Sequence, residues 1–204
     1  MCKVYIAGTD NIPSHFSVGA GESLDVVVLV FPGVSADIPI DIDIDGEDAS
    51  VRLNGLYICG GEEKVSFDVN VRHNAGRGES RQLFNGVAGG TSRAAFHGRV
   101  LVRQNSQKIK AFQENHNILL SKGAIVETSP QLEIYADDVE CSHGATTGFL
   151  NLDEQFYMRS RGIPESEARV LQIISFLAPI LSAIPDGDLR ESLSSRVEQA
   201  VRSL

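Results

Sequence analysis

Cys141 and His143 stand two residues apart in the run Cys141-Ser142-His143-Gly144. On a strand that spacing sends both side chains to one face. A thiolate and an imidazole on a common face are donors suited to a soft or borderline metal. They make only half a site, and no other Cys or His lies nearby in sequence. Spacing alone equally describes a small buried Cys beside a His143-Gly144 turn. The other candidates are carboxylates. Asp41, Asp43 and Asp45 alternate with Ile38, Ile40, Ile42 and Ile44. Such acids on one face suit calcium, or the acid–base work of carbohydrate-active enzymes. The alternation by itself explains them as the solvated side of a half-buried strand. Asp137-Asp138 reads as a corner whose side chains cap backbone amides.

The remaining groups are quieter. His73, His97 and His116 sit on or beside strand patterns and read as surface or corner histidines, and His15 has no motif around it. Cys59 follows Leu56-Tyr57-Ile58 and reads as a core residue at a strand end; Cys2 is uninformative. Three cysteines without a CxxC spacing argue against a disulfide framework and against a structural zinc site. They suit reduced thiols in a cytosol. The glycine-rich pieces at Gly19-Ala20-Gly21 and Gly86-Val87-Ala88-Gly89-Gly90 lack the Lys-Ser/Thr ending of a phosphate-binding loop. No Gly-x-Ser-x-Gly elbow occurs. If the protein serves an ATP-driven process, the ATPase is another chain.

Strands must position these residues. Ile38 to Ile44, Val65-Phe67-Val69-Val71, Phe96-Gly98-Val100-Val102 and Leu132-Ile134-Ala136 all recur with period two. Asp45-Gly46, Asn54-Gly55, Gly60-Gly61, Asn85-Gly86, Gly89-Gly90 and Lys122-Gly123 read as corners between them. No helical stretch separates the strands, which excludes an ordinary βαβ sheet. An antiparallel sandwich and a parallel β-helix remain. Residues 107–121 fit neither a clean strand nor a clean helix, an irregularity that solenoid coils tolerate.

From Asn151 the period becomes helical. Pro164 opens a helix with Glu165 and Glu167 in its first turn, where the dipole favours acids. Ala168, Leu171, Ile174 and Ala178 form one stripe, and Pro179 is expected to kink or end the helix. Asp186-Gly187-Asp188 starts another helix. The 204 residues carry a net charge of −9, against a nucleic-acid partner. The early residues lack the apolar core of a signal peptide, and the longest apolar run, Val26 to Phe31, is too short to span a bilayer. A cytoplasmic protein is expected.

Residues 130–164 hold the most specific pattern. Leu132-Glu133-Ile134-Tyr135-Ala136-Asp137-Asp138-Val139 is followed by Cys141-Ser142-His143-Gly144-Ala145-Thr146, then Phe156-Tyr157, then Arg159-Ser160-Arg161-Gly162-Ile163. In that order these residues resemble the SufB/SufD family of iron–sulfur cluster assembly proteins, the SufD branch in particular. Phe96, Gly98, Val100, Gln113, Leu119-Leu120 and Ala124 also fall in the family's spacing. The resemblance is best over residues 65–204.

The resemblance implies a mainly β fold: a right-handed parallel β-helix followed by a small C-terminal helical appendage. It places a β-helix core at residues 1–150, with 1–30 as an N-terminal cap, and a helical domain at residues 151–204. It implies a non-enzymatic subunit of a SUF complex that pairs with a SufB-like scaffold and docks SufC, an ATP-binding-cassette ATPase. Docking would fall to Arg161, Gly162, Ile163, Pro164 and Glu165, with Ala168, Leu171 and Ile174. His143, with Cys141 beside it, would lie near the partner interface where a nascent cluster forms. Iron or a cluster would pass there transiently, with no tightly bound cofactor. A homodimer through the β-helix edges is the alternative pairing, and a carbohydrate-active β-helix enzyme the alternative function. The chain departs from the family pattern in four ways. Members are longer, with an N-terminal helical region that has no counterpart here. Ser106 and Ile109 stand where Ala and Thr are usual, Pro179 interrupts the docking helix, and the cysteine array of a SufB scaffold is missing.

Overall fold

The computed structural model describes residues 2–204. The strands are β1 (Cys2–Ile6), β2 (His15–Val18), β3 (Ser23–Val30), β4 (Ala36–Ile44), β5 (Ser50–Cys59), β6 (Lys64–His73), β7 (Glu79–Ala88), β8 (Arg93–Val102), β9 (Ile109–Leu119), β10 (Ile125–Ile134) and β11 (Val139–Gly148). Three helices follow: α1 (Leu152–Ser160), α2 (Glu165–Ser182) and α3 (Gly187–Arg202). Odd strands form a six-stranded sheet in the order β1-β3-β5-β7-β9-β11. Even strands form a five-stranded sheet in the order β10-β8-β6-β4-β2. Every pairing is parallel. The chain therefore winds between two facing sheets as a parallel β-solenoid of about five turns. Period-two alternation fits either surviving architecture; the parallel ladders decide for the solenoid.

The even-strand sheet has one buried face. Ile38, Ile40, Ile42 and Ile44 point inward, as do Phe67, Val69 and Val71, with the intervening polar residues outward. In the odd-strand sheet the C-terminal halves of β3, β5 and β7 are covered on both faces, as strands of parallel sheets commonly are. In β3, Val26, Val28 and Val30 enter the solenoid core. Val27, Leu29 and Phe31 pack with Leu56, Ile58 and Val87 beneath α2 and α3. This double burial explains the continuous apolar run Val26 to Phe31. Each such aliphatic or aromatic side chain contributes roughly 1.5–3 kcal/mol when fully buried. On the helices the matching face is Val170, Ile173, Leu177 and Ile180 of α2 with Leu193, Val197 and Val201 of α3.

Several local expectations change. Asn54-Gly55 and Asn85-Gly86 are not corners but lie inside β5 and β7. Gly55 pairs with Phe84, and Gly86 with Tyr57. A Cβ at either glycine would collide with the facing ring, so each glycine makes room for an aromatic in the neighbouring coil. Those rings stack through the core, with Phe67–Phe84 and Phe84–Phe96 centroids 5.2 and 4.7 Å apart. Most of residues 107–121 is β9, a regular alternating strand. Its pattern is masked because Gln113, Asn115 and Asn117 occupy inward positions. Residues 2–30 hold β1, β2 and β3, which join the two sheets in parallel register as the first coil. Pro179 does not end α2, which runs on to Ser182. Placed in the last turn, it forgoes a single backbone bond to Ser175.

Candidate functional site at the end of the solenoid

β10 and β11 are the terminal strands of their sheets, each paired on one side only. Together they form the last coil, and its interior face meets no further coil. In β11, Cys141 pairs with Ala111 and His143 with Gln113, both buried inward residues of β9. Cys141 and His143 therefore do share a face, the interior one. His143 is exposed there and Cys141 is half-buried. Cys141 packs against a small cluster of Val100, Val102, Ile109, Ala111 and Ala136. Burial pushes its thiol pKa up, which favours the neutral form. Leu132 of β10 faces the same cluster, while Ile134 and Tyr135 are left exposed at the rim. Among the described residues, no group of three or more His, Cys, Asp or Glu side chains is placed to hold a metal ion. The pair is thus two donors on an open face, short of a closed coordination sphere.

The interior beneath this face is polar, which sequence reasoning missed. Stacking the odd strands in register gives one inward column of Val26, Leu53, Gln82, Gln113 and His143. It turns from aliphatic to polar towards the open end. Gln113 Nε2 donates to Gln82 Oε1 at 2.9 Å, and both side chains are buried. Gln113 Oε1 and Gln82 Nε2 have no partner. In a neighbouring column Tyr57 donates its hydroxyl to Asn117 Oδ1, and Asn117 Nδ2 donates to Asn115 Oδ1 at 2.8 Å. His73 is a further correction. It continues the inward row of Val65 to Val71 and is fully buried, its Nε2 2.8 Å from Ser80 Oγ. Burial lowers its pKa to about 4. His97 and His116 lie on non-core faces, His116 Nδ1 bonding Thr146 Oγ1 at 2.8 Å. Cys59 is buried at the end of β5, and burial pushes its thiol up to about 11.

The acidic row Asp41, Asp43 and Asp45 is engaged in a network across coils. Arg72 Nη1 donates to Asp41 at 2.8 Å and its Nε to Asp43 at 2.6 Å. Asp43 also meets His15 Nε2 at 2.9 Å, and Asp45 accepts from Ser17 and Asn74. Arg72 above all, then His15 and Asn74, hold the Asp43 carboxyl well below the usual carboxylate range. A pair tuned for acid–base work would have one carboxyl raised. At the Asp137-Asp138 corner, Gln107 rather than a carboxylate does the capping: its Oε1 accepts the Asp138 N–H at 2.9 Å.

Past β11, Asn151 caps α1 by accepting from the N–H groups of Asp153 and Glu154. No residue of α1 is buried. Leu152, Phe156 and Tyr157 are 76%, 71% and 60% exposed, with Phe149 beside them at 67%, so the apolar side of this helix faces solvent. Hydrogen bonds from Gln172 to Glu154 and from Gln155 to Gln172 tie α1 to α2. Arg161 follows α1 with its guanidinium over the Tyr157 ring, and Gly162 turns the chain towards Pro164, the N-cap of α2. Glu165 pairs with Arg159 at 3.2 Å across this turn, and Ile163 is half-buried. The expected docking stripe is split. Ala168 is fully buried, whereas Leu171 and Ile174 line an open groove of about 1100 Å³ with Ile118, Phe149, Tyr157 and Phe176. Among the described residues no helix is long and apolar enough to cross a membrane.

This geometry can be set beside known proteins. The family model for the SUF system FeS cluster assembly SufBD core domain matches residues 14–176. The match begins earlier than the resemblance at residues 65–204 and stops before α3. The chain is 38% identical over 156 residues to the iron–sulfur cluster assembly protein SufD of Escherichia coli, covering 76% of this chain and 37% of that one. It is 40% identical over 154 residues to a SufBD family protein of Synechocystis, covering 74% and 34%. Against SufD of Bacillus subtilis it is 32% identical over 170 residues, covering 78% and 39%. The chain spans about a third to two-fifths of the length of these relatives.

Proposed function

The chain belongs to the SufBD family of SUF-system iron–sulfur cluster assembly proteins, and on that premise we propose that it is a non-enzymatic, cytoplasmic assembly subunit. It pairs with a SufB-like scaffold through the last coil and docks a SufC-like ATPase through its helices. The observation that carries this reading is the open coil. β10 and β11 leave a row of backbone donors and acceptors unpaired at each edge, a template for another chain. The exposed apolar side of α1 and the groove at Leu171 and Ile174 adjoin that end. Such a contiguous apolar surface is characteristic of protein interfaces. His143 and Cys141 then lie where the partner arrives, able to meet iron or a cluster as cargo with ligands supplied from both chains. Arg161, Gly162, Ile163, Pro164 and Glu165 shape the turn that sets α2 against α1, and Leu171 and Ile174 offer the docking contacts.

Co-expression with SufB-like and SufC-like chains tests this. A stable complex is expected, and His143→Ala is expected to lower its iron or cluster content while the chain stays folded. Failure to bind either partner would sink the reading. The engaged carboxylates around Arg72 leave the carbohydrate-active alternative without support.

A further inference from the structure

We propose that Gln113 is a positioning residue for His143, and that its Oε1 accepts one ring N–H of His143. The proposal rests on the reading of His143 as a functional ligand. Three observations lead to it. His143 pairs in register with Gln113, so the two side chains are successive members of one inward column, roughly 4.8 Å apart along the ladder. Gln113 is completely buried, and its Nε2 is already committed to Gln82 Oε1 at 2.9 Å. Its Oε1 is left without a partner, one place below an imidazole that carries a donor in every protonation state. An orphaned buried acceptor is costly to leave unpaired, so it is a strong sink for that donor.

The surroundings hold the amide in place. A Cβ built at Gly98 would come within 2.5 Å of Gln113 Nε2 and 2.6 Å of the Phe96 ring. The glycine on the facing sheet thus leaves the space that the amide fills, while the rung to Gln82 fixes its orientation from below. His143 is exposed and able to rotate when a partner covers the open coil. A ring N–H given to Gln113 then completes a third rung of the ladder Gln82–Gln113–His143. It fixes the tautomer and leaves the other nitrogen unprotonated and facing out. Metal-binding histidines are commonly oriented in this way by a carbonyl or carboxylate acceptor on the second nitrogen.

The experiment reads the His143 ring nitrogens by long-range ¹H–¹⁵N correlation in histidine-labelled protein, free and in complex with its SufB-like and SufC-like partners. In the wild-type complex a single tautomer is expected. Gln113→Met, close in shape but without the amide oxygen, should give the averaged shifts of a free imidazole and lower iron or cluster content several-fold. Gln113→Glu keeps an acceptor oxygen and should restore the single tautomer, which a purely structural role would not do. If Gln113→Met fails to fold, Gln113→Leu replaces it. Unchanged His143 shifts in the folded variants of the complex would overturn the proposal. The underlying reading fails separately: if His143→Ala leaves iron or cluster content intact while the tautomer still depends on Gln113, the ladder exists but does not serve assembly.

Discussion

Arg72 grips Asp43 with two parallel hydrogen bonds, Nε to Oδ1 at 2.6 Å and Nη2 to Oδ2 at 3.0 Å, across 29 residues of sequence. The pair links β6 to β4 on the outer face of the even-strand sheet, and the same guanidinium reaches Asp41. Both side chains are mostly shielded, at 26% and 21% exposure. This makes the pair more than an ordinary surface contact.

Arg72→Ala should therefore lower stability by about 1 kcal/mol near neutral pH, somewhat more than a solvated ion pair. The effect should fade in acid. Arg72, His15 and Asn74 depress the folded pKa of Asp43. Its contribution is then complete above the unfolded value, about 3.9, and is lost as pH falls towards the folded one. Urea melts at neutral pH and near pH 3 should show the gap between wild type and variant narrowing. A constant gap would mean that the pair does not titrate this way.

His73 acts in a different window. Its folded pKa, about 4, lies below the unfolded value of about 6.5, so the unfolded chain binds more protons between them. Stability should fall as pH drops from about 6.5 to 4, by up to about 3 kcal/mol, and this group should add no further loss below that. His73→Gln, which keeps a hydrogen bond within reach of Ser80, should flatten that limb by one proton's worth of slope. Stability measured against pH for both proteins checks it.

Gly86→Ala tests the packing of Tyr57. A methyl group at residue 86 meets the Tyr57 ring with no free space, since the ring is fully buried. A loss of about 1–3 kcal/mol is expected, typical of overpacking. Tyr57→Phe should cost about 1–2 kcal/mol by a different route, since it leaves Asn117 Oδ1 unpaired. Denaturant midpoints with unchanged m-values would show both.

The exposed apolar side of α1 and the split face of α2 give a paired prediction. Phe156→Asp and Leu171→Asp alter exposed side chains, so the isolated protein should change by no more than about 0.5 kcal/mol. If the proposed ATPase or scaffold docking is right, that binding should weaken tenfold or more, as expected when apolar interface residues become charged (about 1.4 kcal/mol per decade). Ala168→Leu should instead destabilise the chain itself, because Ala168 is fully buried. Calorimetric titration together with thermal melts separates the two effects.

Much of this was legible in sequence. Period-two alternation identifies the inward residues Ile38 to Ile44 and Val65 to Val71, because side-chain direction on a strand is a local property. The change to a helical period at Asn151 and the start at Asp186-Gly187-Asp188 locate α1 and α3, where the side chains of Asn151 and Asp186 answer orphan N–H groups within their own helices. The run from Leu132 to Ile163 identifies the family, and it puts Cys141 and His143 on one face. Where the inward residue was polar, the alternation rule lost its signal, as at His73 and through Gln113, Asn115 and Asn117.

Which residues stack was decided by the tertiary structure alone. In-register partners in the odd-strand sheet lie 27 residues apart at Ser23 and Ser50, 31 at Gln82 and Gln113, and 30 at His116 and Thr146. The coil length drifts, so no fixed repeat marks it in sequence. Strand register is set by how each corner closes and by which side chains fit the neighbouring coil, a ring against a glycine at Tyr57 and Gly86. Those are contacts between distant residues. The sequence by itself fixes that Cys141 and His143 face one way. Only the packing of coils puts Gln113 beneath His143 and leaves the face above it open.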